Sequence, residues 1–169
     1  MEGIRNLLDR VLTFICVVLF IEMTIVGTYQ IVTRYFFNSP STVSEEIVTY
    51  SFTWLAILAA ALVFGKRGHL CMTFFVSRFT GRKRVCLDLF SEIMVLVMAV
   101  PLLLYGGYIM ADQNVTQETA SLGISMGLMY AVLPVAGVII CIYCFLNISE
   151  LLGKLNAPDV DSYGVQPTA

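Results

Sequence analysis

The chain has 169 residues, 58% of them hydrophobic and 13% charged, and its mean hydropathy is +0.83. That lies well above the roughly half-apolar usage of an ordinary soluble domain and places the chain in a bilayer. The net charge of −2, from 10 basic and 12 acidic residues, is uninformative as a total, because in a membrane protein the distribution of Lys and Arg decides orientation; no nucleic-acid partner is expected.

A helix that crosses the hydrocarbon core needs about 20 apolar residues. Four stretches qualify, at about residues 11–33, 47–65, 89–110 and 127–146. They leave no room for a soluble domain, so residues 1–169 read as one all-α integral membrane domain. The first stretch follows Arg5 and Arg10, as a secretory signal would. It is too long for a signal core and no A-x-A-like cleavage site follows, so it reads as a retained helix.

That helix carries Glu22 near its middle, where a carboxylate is costly and marks a functional candidate. Val26, Tyr29, Gln30 and Thr33 continue the same helical face as a mildly polar stripe, which suits contact with protein rather than lipid. Two readings stand: a protonated or hydrogen-bonded Glu at a helix contact, or a carboxylate that couples transport.

The turn Asn38-Ser39-Pro40 ends the first helix, because Pro40 has no N–H and biases Ser39 away from helix. Thr42 to Glu45 reads as a capping box, with Ser44 a competing N-cap. Glu45 and Glu46 suit the positive end of the second helix. Arg34 either snorkels to the headgroups or crosses the short turn to pair with Glu45 or Glu46, and the shortness of the turn favours the pair.

Between the second and third stretches, Cys71, Met72, Phe75, Val76 and Phe79 recur at helical spacing opposite Thr73, Ser77 and Thr80. This predicts an amphipathic interfacial helix over about 69–80. Basic residues that suit anionic headgroups bound it, so the phospholipid bilayer is itself a partner. Arg5, Arg10, Lys66, Arg67, Arg78, Arg82, Lys83, Arg84 and Lys154 fall on one side of the membrane and Arg34 alone on the other. The positive-inside rule puts both termini and this connection in the cytoplasm, with 34–46 and 112–125 outside.

The third helix opens on Asp88 and Glu92, is bent at Pro101, and has Gly106 and Gly107 for close backbone approach. Gly127, Pro134 and Gly137 mark the fourth. Such helices suit packing against a larger partner or against each other. Residues 153–169 are expected to form a disordered tail. Cys141 and Cys144 spell C-x-x-C inside an apolar helix, where cysteine behaves as a small packing residue. His69 is the only histidine, which excludes a haem held by two histidines of this chain. With no metal-ligand spacing and no nucleophile beside a base, neither cofactor, metal nor enzymatic activity is expected.

Four pieces of the chain, namely Arg34-Tyr35-Phe36-Phe37-Asn38-Ser39-Pro40, Ser44-Glu45-Glu46 with Tyr50 and Trp54, Gly65-Lys66-Arg67-Gly68-His69, and the run from Leu122 and Gly123 through Tyr130 to Pro134, together resemble the small membrane subunit of tripartite ATP-independent periplasmic (TRAP) transporters. They occur in family order and cover most of the sequence. The resemblance implies an accessory subunit that binds a large membrane subunit and enlarges its fixed scaffold. The large subunit holds the substrate and sodium sites, and a periplasmic binding protein delivers an organic acid.

On this resemblance Arg34, Tyr35, Asn38, Pro40, Ser44, Glu45, Glu46, Tyr50, Trp54, Gly68, His69, Gly123, Tyr130 and Pro134 are structural or subunit-interface positions. Lys66, Arg67, Phe75, Phe79, Arg82, Lys83 and Arg84 meet the membrane interface. Two departures stand out: Thr73, where relatives often have an acidic residue, and Ser125, where they often have proline and a stiffer lead into the fourth helix. The competing functions are an autonomous proton-coupled drug exporter using Glu22 and a thiol oxidoreductase using Cys141 and Cys144. The charge bias opposes the first, and the cytoplasmic depth of the cysteines opposes the second.

Overall fold

The computed structural model describes residues 2–37, 41–65 and 82–155. Among these, four helices are long and apolar enough to cross a membrane: α1 (Glu2–Phe36), α2 (Thr42–Gly65), α3 (Arg82–Gln113) and α4, in two pieces (Met126–Tyr130 and Val132–Leu155). The interfacial helix expected over 69–80 and the tail beyond Leu155 lie outside the described residues, although residues 153–155, read as tail, are helical.

Each helix outruns its apolar stretch, because hydropathy marks only the part that hydrocarbon must solvate. The 35 residues of α1 measure about 52 Å at 1.5 Å per residue, against a hydrocarbon core of about 30 Å. Its first turns, with Arg5, Asp9 and Arg10, therefore extend beyond that core. At the other end Arg34 occupies the last turn, where its charge complements the helix dipole.

The start of α2 differs from the expected capping box. Ser41 is the N-cap: its hydroxyl oxygen accepts the Ser44 N–H at 3.4 Å and the Ser44 hydroxyl at 2.9 Å. The helix consequently begins at Thr42, five residues before the apolar run at Ile47. Ser44 lies buried inside the first turn instead of capping it.

Pro101 shapes α3 without breaking it. Its ring removes one backbone donor and crowds the carbonyl one turn back, and the helix widens into a π-helical segment over Val100–Gly106 before resuming at Gly107. In α4 the same cause acts differently. Pro134 cannot donate to the carbonyl of Tyr130, and the helix is interrupted at Ala131 between its two pieces.

The helices run alternately up and down, and α4 holds the centre. Of the most apolar 18 residues of each helix, 39% are buried in α4 but only 6% in α1. Ala136, Ile140 and Cys144 of α4 pack with Ala61 of α2 and Ala99 of α3, while Tyr143 and Val132 join Leu12 of α1 and Leu58 of α2. Val85 of α3 and Leu151 of α4 close the end at which α1 begins and α4 ends. α1 is thus a peripheral helix laid chiefly along α2. Many of its large apolar side chains, Phe14, Phe20 and Ile25 among them, face outward as lipid-exposed residues do.

Hydrocarbon offers helices no hydrophobic reason to associate, so close packing must supply the attraction. A Cβ on Gly107 of α3 would sit 2.8 Å from Cβ of Leu133 and 3.0 Å from the ring of Pro134. One on Gly137 of α4 would sit 3.0 Å from Leu103 and Leu104. Gly107 and Gly137 therefore serve internal contacts, whereas a Cβ on Gly106 would meet only the Pro101 carbonyl of its own helix at 3.5 Å. Gly107→Val is expected to cost roughly 1–3 kcal/mol by overpacking, measured as a lower thermal midpoint of the detergent-solubilised chain, whereas Gly27→Ala, with open space around its Cα, should not lower the midpoint.

Candidate functional site

Two polar clusters close the bundle at opposite ends. At the end where α1 finishes and α2 begins, α3 and α4 are joined by an ordered hairpin. The Thr119 N–H donates to the Ile124 carbonyl at 2.9 Å and the Met126 N–H to that of Gln117 at 2.7 Å. Gly123 turns the chain with φ +65°, a left-handed conformation that favours glycine. The Ser125 hydroxyl donates to the Val115 carbonyl at 2.7 Å and accepts the Gly127 N–H at 3.2 Å as the N-cap of α4. Serine at this position therefore ties down the start of α4, contrary to the looser lead expected where relatives carry proline.

Glu46 reaches this hairpin from α2. Its two carboxylate oxygens accept the Ser121 N–H at 3.0 Å and the Leu122 N–H at 3.1 Å. The expected pairing with Arg34 is therefore not formed. Both oxygens of Glu46 are engaged by backbone donors, Glu45 is exposed, and Arg34 is exposed in the last turn of α1. The chain closes its own hairpin with the carboxylate and leaves the arginine to the membrane surface. Beside this clamp Thr42, Glu45, Thr49 and Tyr50 line a shallow recess of about 350 Å³ with Ala120 and Ser121.

The second cluster occupies the end where α1 begins and α4 finishes. Arg5 donates to Glu150 at 3.3 Å and to the carbonyl of Gly65 at 2.9 Å, joining α1 to both α4 and α2. The Tyr143 hydroxyl donates to Asp9 at 2.5 Å. Its ring is 1% exposed and lies against Gly65, where an added Cβ would come within 2.7 Å of three ring carbons. Deeper in α3 and α4, the Asn147 amide donates to Glu92 at 3.0 Å.

Among the described residues no group of His, Cys, Asp and Glu could hold a metal ion. An open groove of about 460 Å³ between α2, α3 and α4 is lined by Phe64, Met94, Met98, Leu102 and other apolar side chains, with Ser91 its sole polar member. Cys141 and Cys144 are unbridged, and Cys144 is buried in the packing between α2, α3 and α4.

The remaining positions singled out in the sequence scatter. Tyr35 is 78% exposed beyond the end of the bundle. Trp54 packs with the cluster around Leu58 and Tyr143, and Pro134 against Gly107. Tyr130 is exposed, as are Arg82 and Lys83 at the start of α3, and Arg84 is half-buried. Glu22 is half-buried midway along α1. Asn38, Pro40, Lys66, Arg67, Gly68, His69, Phe75 and Phe79 lie outside the described residues. The reading of residue types missed the clamp of Arg5, Asp9, Gly65 and Tyr143. Its one signal was a polar Tyr followed by Asn147 and Glu150 on an otherwise apolar helix.

Residues 23–154 match the family of tripartite ATP-independent periplasmic transporters, DctQ component. The chain belongs to this family. It is 33% identical over 138 residues to the sialic acid TRAP transporter small permease protein SiaQ of Vibrio cholerae, covering 82% of this chain and 79% of that one. It is also 28% identical over 140 residues to a Haemophilus influenzae protein whose name assigns it provisionally to the TRAP small permeases, covering 83% and 86% of the two chains. With four apolar helices, the chain is a multi-pass protein of the bacterial inner membrane and the small membrane subunit of a TRAP transporter.

As such a subunit, the chain is expected to depend on its hairpin clamp for a fixed outline. Glu46→Gln keeps one acceptor oxygen where two amide donors need one each, and an unmet partly buried donor costs about 1–3 kcal/mol. Hydrogen exchange at the Ser121 and Leu122 amides should therefore rise at least ~10-fold, while Glu45→Gln, on the exposed side, leaves both amides protected.

Proposed function

We propose that this chain is the accessory scaffold subunit of a sodium-coupled, binding-protein-dependent TRAP transporter for an organic acid. It binds the large membrane subunit and works in complex with it and a periplasmic binding protein. The observation that carries this reading is membership of the DctQ family over residues 23–154. The geometry supports the accessory role. Its polar side chains at both ends serve to tie helices together, and the groove between α2, α3 and α4 is apolar. A body of this kind can hold orientation in the bilayer while the transporting subunit moves. The sialic acid of the Vibrio cholerae relative is a carboxylic acid, which supports the substrate class. The chain performs no enzymatic chemistry in this scheme.

The orientation follows from charge. Arg5, Arg10, Arg82, Lys83 and Arg84 gather at the end of the bundle where α1 and α3 begin, and Arg34 lies at the opposite end. The positive-inside rule assigns the former end to the cytoplasm. Reporter fusions after Lys83 and at the C-terminus are expected to read cytoplasmic, and those at Ser41 and Thr116 periplasmic; mixed signals at every site would favour a dual-topology exporter instead.

In liposomes the purified chain alone is expected to show neither ion-coupled uptake nor export. Uptake of the organic acid should require the large subunit, the binding protein and a sodium gradient together. Glu22→Gln, which keeps size and hydrogen-bonding capacity without a titrating proton, should retain most of that uptake. Robust proton-coupled flux through the chain alone, abolished by Glu22→Gln, would overturn the scaffold reading in favour of an exporter.

A further inference from the structure

The carboxyl of Glu22 differs from the other acidic groups that enter the bundle. Asp9 accepts from Tyr143, Glu92 from Asn147 and Glu46 from two backbone amides, each on another helix or on the hairpin of the same chain. Among the described residues no hydrogen bond or ion pair reaches Glu22. The hydroxyls nearest along α1 are already committed to their own helix, Thr24 to the Phe20 carbonyl at 2.7 Å and Thr28 to that of Thr24 at 2.7 Å. A carboxyl left without a donor in hydrocarbon is costly, and such groups characteristically find partners within protein.

Position excludes the lipid headgroups as that partner. Glu22 stands about 20 Å along α1 from Asp9 and about 18 Å from Arg34, at 1.5 Å per residue. These two residues mark opposite ends of the bundle, so Glu22 sits near mid-membrane. A glutamate side chain, far shorter than that of lysine or arginine, cannot snorkel from there to either surface.

Among the described residues, azimuth turns Glu22 away from α4. Leu12, buried among the side chains of α2 and α4, defines the packed face of α1. At 100° per residue Asp9, which reaches α4, lies about 60° to one side of that face, and Glu22 about 80° to the other. Ile15, Tyr29 and Thr33 share the Glu22 flank, and Ile15 and Tyr29 are exposed. The flank therefore runs alongside α2 on the side turned away from α4.

We infer that this flank of α1 is where the large membrane subunit docks, through a hydrogen-bond donor that a transmembrane helix of that subunit presents to the Glu22 carboxyl. The inference rests on the assembly proposed above and adds which face of the small subunit engages. A second copy of this chain fits less well, because a two-fold contact along this flank brings Glu22 towards its own counterpart, and two carboxyls satisfy each other only when at least one of them holds a proton.

The test uses the full-length chain co-expressed with its large subunit and purified through a tag on the small one. Glu22→Leu, which removes the acceptor without disturbing an apolar helix, is expected to lower the large subunit retained per small subunit at least ~5-fold relative to Glu22→Gln. Photo-crosslinking benzoylphenylalanine in place of Tyr29 should capture the large subunit. The inference is overturned if Glu22→Leu retains as much as wild type, if Leu and Gln variants fall alike, or if the probe at position 29 captures only another copy of this chain or nothing. Failure of the wild-type chain to retain any large subunit would overturn the assembly as well as the inference, so the two failures are distinguishable.

Discussion

Tyr143 lies against the backbone of Gly65 while its hydroxyl donates to Asp9, so one side chain of α4 engages both α2 and the first turns of α1. The contact depends on there being no side chain at position 65, since a Cβ would intrude among the ring carbons, and on an acceptor being present where the ring ends. Arg5 reinforces the same corner by donating to the Gly65 carbonyl, one of the last-turn carbonyls of α2 that no helical N–H can reach. In a bilayer, where apolar surface gains little by leaving lipid for protein, such a corner does what a hydrophobic core does in water. It selects one arrangement of helices that lipid alone would leave free to slide.

The hairpin end uses the same economy of groups. A carboxylate has two acceptor oxygens, and Glu46 spends both on consecutive backbone amides of the turn between α3 and α4. The backbone there is not part of a helix, so its donors need partners that the local chain does not supply. With Ser125 capping α4 and Gly123 in a left-handed turn, the segment becomes a fixed surface at the membrane boundary. The two ends together convert four antiparallel spans into a body of definite outline, the property on which the proposed scaffold role draws.

The asymmetry of packing bears on function in the same way. α4 is shielded by its neighbours, while α1 gives up little of its apolar surface within the chain. A helix so lightly held inside its own bundle has surface to offer to lipid and to partners. The intramembrane carboxylate on one flank of it makes that flank chemically distinct from the others, whose outward side chains are those of a lipid-facing helix.

Hydropathy alone located all four spans, because the cost of placing a residue in hydrocarbon is set residue by residue and sums along the chain. The same additivity made Glu22 visible as an anomaly, and the resemblance carried by the Arg34 to Pro40 and Leu122 to Pro134 runs pointed to the family. The ends of the helices were less legible: Thr42 and the turns before Val11 are helical because of caps and tertiary contacts, which hydropathy does not measure. The role of Glu46 was beyond sequence reach altogether. Its neighbour Arg34 offered an obvious opposite charge a short turn away, but the amides of Ser121 and Leu122, 75 residues and more along the chain, came within 3.0 and 3.1 Å. Likewise Asp9 reads as a solvated residue before an apolar run until Tyr143 is seen to reach it. What a residue costs in the membrane depends on its own chemistry, and the sequence states that; which partner relieves the cost depends on azimuth and on the neighbouring helix, and only the tertiary structure decides it.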